Sequence, residues 1–249
     1  MGKLEGRIAV VTGAASGIGA GIAIAFAGEG AHIVVADKAP AAQAEGVIAA
    51  IKAHGREALF VATDVSDEAS VRGMADQAIA RFGRVDILVN NAGIFTESPL
   101  ADMPVRDWDR VLNTNLRGTF LCTRVLIGQM LARGDGRIIN IASQLGQIGG
   151  SSVAHYSASK AGVIGLTKAL AREVSARGVL VNAIAPGPIQ TPLLDGETEE
   201  WRSAKLKELP IGRFGTVDEV TPTAVLLASS DGSYYVGQTL GPNGGDVML

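Results

Sequence analysis

The sequence predicts an α/β fold, a parallel sheet doubly wound by helices on both faces. Three observations predict it. Short, near-continuously apolar runs rich in β-branched residues recur along the chain, as strands buried on both faces should. They alternate with longer, alanine-rich helical stretches, which makes βαβ units. The first run leads through a glycine loop into a helix, and right-handed crossovers then wind such units on both faces.

Taken in order, "RIAVVT" (7–12) is the first strand and the alanine-rich 17–29 the first helix. "HIVVA" (32–36), "ALFVAT" (58–63) and "DILVN" (86–90) are the next three strands, separated by helices over 40–54 and 67–82. A long helix over 104–132 leads to "RIINIA" (137–142), and one over 152–177 to "LVNAIA" (180–185). A helix over 217–229 and a strand "GQTL" (237–240) finish the chain. Between 186 and 215 lies the longest irregular region, with Pro186, Pro188, Pro192 and Pro210. A connection that long is usually functional, so about 188–212 is read as a substrate loop carrying a mobile helix near 197–208. No linker or repeat divides the chain, and residues 1–249 are read as one domain.

Hydrophobic residues make up 47% of the 249 and charged residues 19%, the balance of a folded domain with a full core. A net charge of −3 gives no reason to expect nucleic acid or an anionic membrane as partner. The single cysteine, Cys122, excludes an intrachain disulfide and reads as a buried helix residue. No apolar run approaches the roughly 18 residues of a membrane span, and "MGKLEGRIAVVTG" reads as a strand, not a signal peptide. A cytoplasmic enzyme without a metal is expected.

"VVTGAASGIGAG" places Gly13, Gly17 and Gly19 where the first strand turns into the first helix. Such a loop brings backbone N–H groups and a helix N-terminus close to a pyrophosphate, or is simply a strand-to-helix turn. Asp37 ends the second strand, 18 residues after Gly19. A carboxylate there accepts hydrogen bonds from an adenosine ribose and repels a 2′-phosphate, which favours NAD; Ser16 adds no positive charge. Lys38 leaves NADP open. Asp64, after the third strand, is either an adenine contact beside Val65 or a turn residue. "NNAG" (90–93) suits a backbone passing close to a ligand, with Asn90 equally suited to stabilising the sheet centre.

Tyr156 and Lys160 stand four apart in "AHYSASKAG", on one face of a helix. A free tyrosine, pKa near 10, is a poor base at neutral pH, and a neighbouring ammonium lowers that value. Tyr156 then takes a proton from an alcohol or gives one to a ketone. Ser143 closes the fifth strand, where ligands bind in open α/β sheets, and its hydroxyl can hold the reacting oxygen. Asn115 disfavours a helix interior and marks a polar kink holding a water near Lys160, with Asn113 as the alternative.

With these residues assembled, the chain resembles the short-chain dehydrogenase/reductase family over nearly its whole length. Thr12-Gly13-x3-Gly17-x-Gly19, Asp64, Asn90-Asn91-Ala92-Gly93, Asn115, Ser143, Tyr156-x3-Lys160 and Pro186-Gly187 follow the family's order. The resemblance implies a Rossmann fold with a seven-stranded parallel sheet, strand order 3-2-1-4-5-6-7, assembled as a homotetramer or dimer. It implies Tyr156 as acid/base, with Lys160 binding the nicotinamide ribose and lowering the tyrosine pKa. Ser143 then orients the substrate oxygen and Asn115 supports a water-linked proton relay. It further implies cofactor contacts from Gly13, Ser16, Gly17, Ile18, Gly19 and Asp37, from Asp64, Val65, Asn91, Ala92 and Gly93, and from Pro186, Gly187, Ile189 and Thr191. "GPNGG" departs from relatives that carry an acidic residue before the paired glycines.

Two enzymatic readings follow. The first is NAD-dependent interconversion of a secondary alcohol and its ketone; the second is NADPH-dependent reduction of a 3-oxoacyl thioester. A dinucleotide-binding protein without catalysis is the third reading, disfavoured by the full set Ser143, Tyr156, Lys160 and Asn115. The substrate pocket is expected to use Ser143, Gln144, Tyr156, Pro188 and Leu193, with Ile148, His155, Leu194 and Trp201 around them. His155 is read as a pocket wall or solvent-facing residue sooner than a second base.

Overall fold

The computed structural model describes residues 2–192 and 194–248. Leu193, expected in the substrate pocket, lies outside the described residues. Seven parallel strands form one sheet in the order β3-β2-β1-β4-β5-β6-β7: β1 Ile8–Thr12, β2 His32–Asp37, β3 Ala58–Ala62, β4 Ile87–Asn90, β5 Gly136–Ile141, β6 Val179–Ile184 and β7 Thr239–Leu240. The helices are α1 Gly17–Gly28, α2 Ala41–Ala53, α3 Glu68–Phe82, α4 Val105–Leu112, α5 Gly118–Arg133, the single turn α6 Leu145–Ile148, α7 Ala154–Val174, α8 Glu199–Glu208 and α9 Val217–Ala228.

Alternate strand residues feed two cores. Ala9 and Val11 of β1 face Ile22, Phe26, Ile51, Val220 and Leu227 from α1, α2 and α9. Val10 faces Met74, Leu126, Met130 and Val174 from α3, α5 and α7. This is the doubly wound architecture the sequence predicts. Two elements differ from expectation. β7 is only two residues, because Gly237 adopts φ +65° and leaves the extended region. The helix expected over 104–132 is two helices joined by a π-helical turn, Asn113–Arg117. Such turns accommodate an extra residue and frequently mark functional sites.

Strand registers align the carboxyl ends of the central strands: Thr12 pairs with Ala36, Asn90 with Asn140 and Ile141 with Ile184. A buried polar ladder locks this edge. Asn90 Nδ2 donates to Asn140 Oδ1 at 2.8 Å and to Thr123 Oγ1 at 3.0 Å, and Asn140 Nδ2 donates to Thr167 Oγ1 at 2.8 Å. Asn90 therefore serves the sheet.

Candidate active site

A cavity of about 880 Å³ runs along the carboxyl ends of the strands, from Asp37 at one end to Tyr156 and Trp201 at the other. Its first wall is the glycine loop. Gly13 and Gly17 take φ +64° and +56°, values that L side chains rarely adopt. A Cβ on Gly13 would also meet Ala92 Cα at 2.8 Å. Gly13, Ser16, Gly17 and Ile18 line the cavity. Gly19 does not; a side chain there would run into the Gly13 carbonyl and the Asn91 amide, so this glycine lets α1 start tight against the loop.

Asp37 closes the far end. Its Oδ2 accepts from the Ala15 N–H and its Oδ1 from the Ala39 N–H, both at 2.8 Å, which fixes the carboxylate against the glycine loop. The neighbouring Lys38 turns to Asp64, Nζ to Oδ2 at 2.5 Å. That hydrogen bond, with those from Ser66, lowers the Asp64 pKa to about 2. Asp64 lines the cavity beside Val65, while capping of α3 falls to Asp67, which accepts from the Ala69 N–H at 3.1 Å. Asn91, Ala92 and Gly93 also line the wall. The Asn91 amide, however, donates to the Thr12 and Gly13 carbonyls at 2.9 and 3.0 Å. It braces the loop instead of reaching outward.

At the chemistry end, β5 delivers Ser143 and α7 delivers Tyr156 and Lys160. Ser143 and Tyr156 both line the cavity, and the Ser143 Oγ accepts from the Leu145 N–H at 3.1 Å. The Tyr156 ring packs edge-on against Phe95, with centroids 4.9 Å apart. Lys160 is 4% exposed; its Nζ donates to the Ile141 carbonyl at 2.7 Å and lies 5.7 Å from the Tyr156 ring centre. The expected lowering of the tyrosine pKa is not found. Burial pushes the phenol above its ordinary value, and the neighbouring Ser143 hydroxyl works against this without reversing it. Burial acts on the lysine as well and lowers Lys160 to about 8.

Asn115 sits in the π-helical turn, 1% exposed, whereas Asn113 faces solvent. Its Oδ1 accepts from the Ile94 N–H at 2.8 Å, and its Nδ2 donates to the Ile94 carbonyl and to Ser159 Oγ at 3.0 and 3.1 Å. It thus ties the loop after β4 to α7 behind Lys160 and does not line the cavity. His155 is wholly buried with Nε2 2.8 Å from Thr96 Oγ1, so it is neither wall nor base. Ile148 lies 55% exposed and away from the cavity.

Pro186, Gly187, Pro188, Ile189 and Thr191 complete the cavity opposite the glycine loop. A Cβ on Gly17 would lie 3.6 Å from Thr191 Cγ2, so this segment closes over the loop. Gln144, Leu194 and Trp201 line the substrate end, as expected. Ile94, Phe95, Glu97, Leu145 and Val153 join them unforeseen. Their only sequence signal is adjacency to "NNAG", Ser143 and Tyr156.

The short chain dehydrogenase family matches residues 7–202. A 3-oxoacyl-[acyl-carrier-protein] reductase of Staphylococcus aureus is 41% identical over 242 residues, covering 97% of this chain and 98% of the relative. A subunit of (2S)-[(R)-hydroxy(phenyl)methyl]succinyl-CoA dehydrogenase from Thauera aromatica is 40% identical, covering 99% of this chain and 98% of the relative. The crystal structure of a putative short-chain alcohol dehydrogenase from Sinorhizobium meliloti superposes with TM-score 0.94 at 37% identity, covering 98% and 97% of the two chains. The chain belongs to the short-chain dehydrogenase/reductase family. It is an oxidoreductase that acts on CH–OH groups with NAD(P). The residues present fit that cofactor: the cradle a Cβ on Gly13 would fill, the anchored Asp37 and the unbroken cavity between Asp37 and Tyr156. Among the described residues no helix is long and apolar enough to cross a membrane.

Proposed function

We propose that this protein interconverts a secondary alcohol and its ketone with NAD. The observation that carries the reading is the meeting of Ser143, Tyr156 and Lys160 at one end of a cavity whose other end is closed by a fixed carboxylate. Held along the cavity between Asp37 and Lys160, NAD would supply the hydride chemistry. Ser143 holds the substrate oxygen, and Tyr156 takes its proton in oxidation or returns it in reduction. Lys160 binds the nicotinamide ribose; Asn115 is a positioning residue that sets the loop after β4. Asp37 repels a 2′-phosphate, and Lys38, engaged with Asp64, does not compensate it.

At the substrate end, burial and the charge of Glu97 raise the Glu197 pKa. Such carboxylates favour a neutral substrate. The 41% identity to a 3-oxoacyl-[acyl-carrier-protein] reductase supports the second reading, NADPH-dependent reduction of an acyl thioester. Self-association, as a tetramer or dimer, is supported by the half-exposed Phe120 on α5 and by exposed Ala158, Ala161 and Gly165 along α7. On the same helix Ser159 and Gly162 pack within the chain, on Asn115 and Leu116.

The test is a spectrophotometric screen of NAD and NADP against alcohols, ketones and a 3-oxoacyl thioester. Alcohol oxidation with NAD at tenfold or greater preference is expected. Turnover confined to NADPH and the thioester would replace the first reading by the second.

A further inference from the structure

Four side chains beside the catalytic group form a connected cluster that the reaction itself does not use. Gln144 follows Ser143 and lines the cavity at 4% exposure. Its Nε2 donates to Asp246, which lies past β7 in the last residues described. Asp246, with its side chain 8% exposed, also receives Lys205 of α8: Nζ stands 2.9 Å from Oδ1 and 2.7 Å from Oδ2. Lys205 donates further to Glu208 Oε2 at 3.0 Å. The tail is held in place for this. Asn243 Nδ2 donates to the Val247 carbonyl at 2.8 Å, and the Ile211 N–H donates to the Gly244 carbonyl at 3.2 Å.

Two consequences follow from the chemistry. Buried charges are retained when paired, and removing one partner strands the other. The Lys205–Asp246 pair therefore pins α8, which roofs the substrate end, to the tail. A carboxylate also accepts only, so it fixes which end of the Gln144 amide it meets. The nitrogen faces Asp246, and the oxygen Oε1 is left buried without a donor among the described residues. An unsatisfied buried acceptor is costly until a donor reaches it.

We propose that Asp246 is a positioning residue for substrate: through Lys205 it latches α8 over the site, and through Gln144 it sets an acceptor for a second hydroxyl or N–H beside the reacting carbinol. The substrate is then an alcohol carrying a neighbouring hydrogen-bond donor. This rests on the alcohol-oxidising reading, and the latch can be tested apart from it. A site built to bond a substrate hydroxyl rejects the analogue lacking it strongly.

Amide hydrogen exchange over residues 199–208 is compared in wild type, Asp246→Asn and Lys205→Met, with β5 as the folding control. Exchange at least tenfold faster in both variants, with β5 unchanged, is expected; unaltered exchange would overturn the latch. The ratio of kcat/KM for butane-2,3-diol over butan-2-ol is then measured with NAD. A ratio of tenfold or more, falling below threefold in Asp246→Asn through KM and not kcat, is expected, with Asp246→Glu restoring part of it. A ratio near one in wild type, or one unmoved by Asp246→Asn, would overturn the substrate half. Failure to oxidise any alcohol would instead overturn the proposed function, and the exchange result still decides the latch.

Discussion

Asp86, where the strands begin, and Lys160, beyond where they end, are both buried charges against the same sheet. Asp86 is 2% exposed and fully engaged. Its Oδ2 accepts from the Ile8 N–H at 2.9 Å and Arg84 Nε at 3.0 Å, and Arg133 and Arg7 stand 3.5 and 4.0 Å from Oδ1. Among the described residues Lys160, 4% exposed, meets a single carbonyl and no carboxylate. Its pKa is down at about 8, and the neighbouring tyrosine is pushed up. One end of the sheet surrounds its charge with opposite charge and holds the fold. The other end leaves charge-bearing groups poorly compensated beside a cavity, where their protonation can be used.

Four substitutions sharpen or break that contrast. Tyr156→Phe is expected to lower kcat on the order of 10³-fold, with NAD affinity by calorimetry nearly unchanged. In the wild type, alcohol oxidation rises with pH up to the raised phenol pKa, because the deprotonated form is the base. Undiminished turnover in the variant, or a pH-independent chemical step, would remove Tyr156 from its role.

Asp86→Ala is expected to cost about 3 kcal/mol in urea unfolding, since Arg84 and a backbone N–H lose their acceptor and Arg133 and Arg7 lose a nearby countercharge. Activity per folded molecule stays the same. A loss of activity without a loss of stability would erase the distinction between the two ends.

Lys160→Met should do the reverse, removing activity while stabilising the fold near neutral pH on the order of 3 kcal/mol. The sign follows from the proton count. The lysine pKa falls from 10.5 to about 8 on folding, so the unfolded chain binds more protons between those values. Native stability therefore rises with pH across that window, and the advantage of methionine fades there. A methionine variant no more stable at pH 7 would show that Lys160 is better compensated than its contacts indicate. The smallest effect is expected at Asp37→Ala, about a tenfold narrowing of NAD preference over NADP, equal to about 1.4 kcal/mol, read from kcat/KM with each nucleotide.

Much of this site was legible in linear order. Strands buried on both faces show as apolar runs, and the glycine loop, Asp37, Ser143 and the Tyr156–Lys160 spacing place themselves by their position at strand ends. Three things were not legible. Gly19 and Asn115 brace the site from behind, and Asn91 spends its amide on the glycine loop, roles indistinguishable in sequence from touching a ligand. The balance between burial and charge at Tyr156 depends on the dielectric around two side chains, which spacing does not report. Asp246 meets Gln144 and Lys205 across 102 and 41 positions, separations that local patterns do not encode. By itself, then, the sequence determined the doubly wound sheet and the placing of Tyr156 and Lys160 on one helix face, because strand burial and helix periodicity are local properties. Only the tertiary structure decided which polar groups are satisfied and how the substrate end is roofed, because burial and pairing depend on what the rest of the chain brings alongside.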